Sequence, residues 1–96
     1  MGLRKHRSQK ANLVASLREL ETVAARLSIP VRYENGEMRG GLCRLQHSWQ
    51  IIINADLSDE EKAEILAQSL AQTDFDTVYV PPRVRQLLEN ARTTAP

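Results

Sequence analysis

Scarcity says more about this chain than any motif does. It has a single cysteine, Cys43, which excludes an internal disulfide and a cysteine-built zinc site and makes a reducing compartment the expectation. Only 4% of its 96 residues are aromatic, so a core must rest on Leu, Ile, Val and Ala. No apolar run approaches the roughly 18–20 residues of a membrane-spanning helix. The basic start, MGLRKHRSQK, has no apolar stretch behind it, and Gly2 lacks the Ser/Thr that myristoylation requires, since His6 stands there. The expectation is a soluble, cytoplasmic protein with no membrane association.

Length and charge narrow the classes further. Ninety-six residues suit one domain, 1–96, with 1–8 and 93–96 expected as disordered tails. A chain of this size buries only roughly 60–65% of its unfolded surface, so self-association is one route to added stability. The net charge of +1 is unevenly spread. Residues 1–10 hold Arg4, Lys5, Arg7 and Lys10 without an acid, and Arg83, Arg85 and Arg92 face only Glu89 near the other end. Basic ends on an acidic body can meet nucleic acid or an acidic partner, or simply lie solvated.

Leu13, Leu17, Leu20, Ala24 and Leu27 recur at helical spacing, with Val14 and Val23 widening the stripe. They predict a helix over 8–28, capped by Ser8 or Asn12. Pro30 stops it. The same spacing could mark a dimer seam, but it lasts barely two heptads, so packing on a sheet is expected. Val31–Glu34 alternates as a half-buried strand, and Asn35-Gly36 suits a tight turn. Gly40-Gly41 suggests a bend or a close backbone approach. Leu42–Leu45 reads as a second strand, Gln46–Ser48 as a turn, and Trp49–Asn54 as a third strand, central because Ile51, Ile52 and Ile53 leave it no polar face.

Ser58 and Glu61 form a capping box, opening a helix over 58–72 with Ala63, Leu66, Ala67 and Leu70 on one face. The acids Asp59, Glu60 and Glu61 suit the positive end of that helix dipole. Val78–Val80 is a short extended run. One of Pro81 and Pro82 opens a last helix, 82–91, carrying Val84, Leu87, Leu88 and Ala91 inward. The expected fold is α+β: a small antiparallel three-stranded sheet packed against helices, in the order helix–strand–strand–strand–helix–helix.

That order, with IIIN just ahead of a capped helix, resembles the minimal zincin fold and in particular the ImmA/IrrE-type zinc metallopeptidases. In that family an Ile-x-Ile-Asn strand leads into a helix carrying a segment like Thr-Leu-Ala-His-Glu-Leu-Gly-His. The corresponding residues here are Ile65, Leu66, Ala67, Gln68, Ser69, Leu70, Ala71 and Gln72. The resemblance spans roughly residues 10–72 and implies a zincin-like scaffold. It also implies that the two imidazole positions hold Gln68 and Gln72, and that the general base has become Ser69. Neutral amides are feeble zinc ligands, and a serine hydroxyl is no general base near neutral pH.

Other chemistry is absent from the pattern. Cys43 and His47 are two metal ligands of a needed three or four. Ser48 and His47 are adjacent and cannot face each other as nucleophile and base, and neither sits in a nucleophile elbow. The expectation is therefore a non-enzyme without cofactor: a protein-interaction module on a zincin-like scaffold, with a homodimer as one possible form. The rival is a weak nucleic-acid binder using Arg4, Lys5 and Arg7 with Arg39 and Arg44.

Overall fold

The computed structural model describes residues 13–94. Its elements are α1 (Leu17–Arg26), β1 (Val31–Glu34), β2 (Gly40–Leu45), β3 (Ser48–Asn54), α2 (Asp59–Ala71), a 3-10 turn (Phe75–Thr77) and α3 (Pro82–Thr94). The class is α+β, and the helix–strand–strand–strand–helix–helix order stands.

The most apolar strand takes the centre of the sheet, whose order is β1-β3-β2. Ile51 and Ile53 are fully buried beneath the helices, while Ile52 lies half-buried on the other face. The expected all-antiparallel sheet is corrected to a mixed one. β2 runs antiparallel to β3, with Leu42 opposite Ile51, but β1 runs parallel to β3, with Val31 beside Ile51. Asn35-Gly36 therefore makes no tight hairpin turn. Residues 35–39 instead carry the chain past the end of β3 to its far edge. A β1–β2 hairpin would leave the isoleucine strand at an edge, whereas this crossover pairs both of its sides.

Asn54, the last residue of β3, holds that crossover. Its Nδ2 donates to the carbonyls of Gly36 at 2.9 Å and Met38 at 2.8 Å, and its Oδ1 accepts from the Asp56 amide at 2.9 Å. The loop then delivers Gly40 against the central strand at φ 116°, where a Cβ would sit 2.2 Å from the Ile52 carbonyl oxygen. Only glycine fits there.

The first helix departs from its expected 8–28. Ser8, Asn12 and the expected tail 1–8 lie outside the described residues. Within them, residues 13–15 are helical, and Ser16 interrupts the run at φ −97°, ψ 4° before α1 begins. Ser16 is fully buried, and its hydroxyl has no hydrogen-bond partner among the described residues. The far end closes before Pro30 is reached. Ser28 turns left-handed at φ 60°, its amide donating to the Ala25 carbonyl at 3.0 Å and the Ile29 amide to Ala24 at 2.9 Å. This is a Schellman closure, with Ile29 tucked back into the core.

α2 is the hub, packing on α1, α3, β2 and β3. Ser58 caps it as expected, its hydroxyl accepting from the Glu61 amide at 3.2 Å. The Glu61 carboxylate accepts from that same hydroxyl. Ile65, flanking the expected face, is buried with it, and burial extends further to Ser69 and Ala71 because neighbours approach from three sides. α3 opens at Pro82, buries Val84, Leu87 and Leu88, and runs to Thr94 rather than 91. Arg92 secures it to α2: the guanidinium carbon lies 4.3 Å from the Phe75 ring centroid, and Nε donates to the Ala71 carbonyl at 3.3 Å. That contact places positive charge at the carbonyl end of the α2 dipole.

Candidate interaction site

Gln68 and Gln72, the residues that the zincin resemblance would set at metal positions, lie on the exposed side of the central helix. Gln68 and Gln72 are both solvent-facing, one turn apart, whereas Ser69 between them is 2% exposed. The Gln72 side-chain amide donates to the Gln68 carbonyl at 3.2 Å, a bond local to the helix surface. The pair offers neutral amide oxygens and nitrogens, with no ionisable proton and little affinity for zinc. Among the described residues no three His, Cys, Asp or Glu side chains group as a metal site.

Two clefts flank this face. On the α3 side, Leu13, Ala67, Leu87 and Ala91 line a hollow of about 350 Å³, with Glu64, Gln68, Asn90 and Thr93 also lining it. On the sheet side, Gln72 joins Leu27, Ile29, Leu42, Trp49, Thr73 and Asp74 around a cleft of about 480 Å³. The second adjoins β2, an edge strand whose only strand neighbour among the described residues is β3. Leu45 and Ser48 close a two-residue turn, so alternation makes 45–48, 43–50 and 41–52 the hydrogen-bonded pairs. The amides and carbonyls of Leu42 and Arg44 therefore point away from the sheet. Trp49 is 47% exposed, and the Arg44 guanidinium carbon lies 5.6 Å from its ring centroid.

Arg39 and Arg44, two of the proposed phosphate contacts, are both engaged within the chain. Arg39 meets Glu64 at 3.4 Å and Glu61 at 3.6 Å, and Arg44 lies over Trp49. Arg4, Lys5 and Arg7 lie outside the described residues. Cys43 is half-buried on β2, its thiol 3.6 Å from the Gly41 carbonyl, and His47 is exposed in the turn.

Tyr33, on the opposite sheet edge from β2, is electrostatically perturbed. Burial first, then a hydrogen bond to Glu21 and the charges of Glu21 and Asp59, hold its hydroxyl protonated well above the ordinary tyrosine range. Lys62 lies 5.7 Å from the ring centroid, so this cluster ties α1, β1 and α2 together.

Sequence reasoning missed Trp49 as a cleft residue, because a tryptophan opening an isoleucine strand reads as core. Its only signal is position: it lies next to the hairpin turn, opposite Arg44. No family model, curated protein or solved structure matches this chain.

Proposed function

We propose that the chain is a non-catalytic, cytoplasmic protein-interaction module on a zincin-like scaffold, which receives an extended segment along β2. The observation that carries this is the outer edge of β2, unpaired among the described residues, beside the Trp49 cleft. Outward amides and carbonyls of Leu42 and Arg44 supply main-chain hydrogen bonds to an added strand, and the apolar walls of Leu27, Ile29, Leu42 and Trp49 supply a pocket for one of its side chains. Glutamine at positions 68 and 72 and an enclosed hydroxyl at Ser69 leave the adjoining helix able to hold a chain but not to cleave it. The nucleic-acid alternative gains nothing from Arg39, whose charge Glu61 and Glu64 already offset.

Trp49 is the sole tryptophan, so its fluorescence reports on the cleft directly. Peptides selected by display against the folded chain should shift Trp49 emission saturably and perturb the backbone amides of residues 40–45. Trp49→Ala should weaken them at least about tenfold while leaving the circular dichroism intact. Selected peptides that map to another face would overturn the proposal.

A further inference from the structure

The two edges of the sheet differ in how they are guarded. β1 is four residues long, follows Pro30, and carries Arg32 and Glu34, which pair with each other. Short length, proline and charge are the ordinary means of blunting an edge strand. β2 is six residues long, contains no proline, and has Arg44 as its only charge. Among the described residues its outer edge is thus open to pairing.

The charges around β2 are arranged end to end. At its C-terminal end stands Arg44. Just before its N-terminal end, Arg39 is held by Glu61 and Glu64, a group with one more acid than base. A parallel neighbour of the same sequence would set Arg44 beside Arg44. An antiparallel neighbour of the same sequence sets each Arg44 toward the other copy's acidic group. The hydrogen-bond parity agrees, because Leu42 and Arg44 are the residues with outward main-chain groups. A two-fold axis at Leu42 places Leu42 against Leu42 of the second copy. It also places Arg44 against Gly40 of the second copy, where no side chain obstructs it.

We infer that the partner of the β2 edge is a second copy of this chain, joined antiparallel about a two-fold axis at Leu42 into a continuous six-stranded sheet. This rests on the reading of β2 as the interaction edge. The contact is isologous, so each charge pair occurs twice and each substitution acts twice.

Sedimentation from micromolar to millimolar concentration tests it with the intact chain and two charge reversals, Arg44→Glu and Glu64→Lys. Arg44 is exposed, and the Glu64 side chain is 32% exposed, so both variants should keep the parent's circular dichroism. The wild type should dimerise, and each variant alone should dimerise at least about tenfold more weakly. An equimolar mixture of the two variants should regain wild-type association, because one contact is native and the other is reversed in both partners. A monomeric wild type overturns the inference. So does a dimer indifferent to both reversals, or variants whose mixture is not restored. A monomer whose Trp49 still answers selected peptides leaves the interaction module standing and removes only the self-pairing; a monomer whose selected peptides map to another face removes both.

Discussion

Asn54→Ala should be among the costliest single substitutions outside the apolar core. Asn54 is 8% exposed and makes three hydrogen bonds, two to the 35–39 crossover and one to the Asp56 amide that begins the turn into α2. Each such bond contributes about 0.5–1.5 kcal/mol net. Gly36 and Met38 lie on the surface, so water can reach their freed carbonyls, which places the total near about 2–3 kcal/mol. Against the roughly 5–14 kcal/mol expected for a chain of this length, the variant stays folded, with a melting temperature lower by roughly 10–20 °C. Urea unfolding measures this, with an unchanged slope showing that the denatured state is the same. Asn54→Asp makes the chemistry explicit, since a carboxylate aimed at two carbonyls repels where the amide donated. At neutral pH it should cost more than alanine, and the difference should shrink as pH falls through the carboxylate range near ~4. An alanine variant within about 0.5 kcal/mol of wild type would refute the claim that Asn54 pins the crossover. So would an aspartate variant equal to alanine at pH 7.

Gly40→Ala should destabilise the chain by several kcal/mol, on the order of 3 or more, because its Cβ would press 2.2 Å from the Ile52 oxygen; thermal melts check this. Ser28→Gly should add about 0.5–1 kcal/mol in the same assay by relieving the left-handed φ of 60° at the α1 closure. Tyr33 keeps its proton in the folded chain above the pH at which an unfolded tyrosine, of pKa 10.0, has lost it. The folded state then binds more protons, so stability is intact below about pH 10 and falls as pH rises further; Tyr33→Phe should flatten that loss in pH-resolved melts. Ser69→Glu alone should be strongly destabilising, since it places a carboxylate where a side chain is 2% exposed. If the scaffold keeps zincin geometry, zinc should rescue the melting temperature of the triple variant with Gln68→His and Gln72→His, and leave the single variant unmoved.

Local signals are legible in the sequence where one element decides its own geometry. The isoleucine run announced a central strand, Ser58 and Glu61 announced the start of α2, and Val84, Leu87 and Leu88 announced the inner face of α3. Partner choice between strands was not legible in the same way. Asn35-Gly36 has the chemistry of a hairpin turn, and nothing within residues 31–45 says that the strands it joins will not pair. The information sits at Asn54, whose bonds to Gly36 and Met38 hold the connection as a crossover. An asparagine ending a strand carries no such meaning until its neighbours are known. Ser28 is a similar case, because the left-handed closure of α1 uses a serine where glycine is the usual signal, and Pro30 drew attention two residues late.

The helix beside the candidate site was legible in the sequence, whereas the strand edge and the Trp49 cleft were not. Gln68 and Gln72 share a face because they lie four apart on a helix, and the structure shows that face exposed. The same periodicity could not say that Ser69 would be enclosed, because its burial depends on how many sides of α2 are covered. That enclosure bears on the resemblance to zincins in a specific way. A general base must reach the water it activates, and a side chain in the position of Ser69 is enclosed. What borders the glutamine face instead is a strand edge whose outward main-chain groups have no strand partner among the described residues, a half-exposed tryptophan, and opposite charges at the two ends of one strand. In the proposed interaction those features meet backbone and apolar side chains, and their end-to-end polarity favours an antiparallel partner over a parallel one. Chemistry at the helix and pairing at the strand are separable, so the docking we propose at β2 requires no catalytic helix beside it.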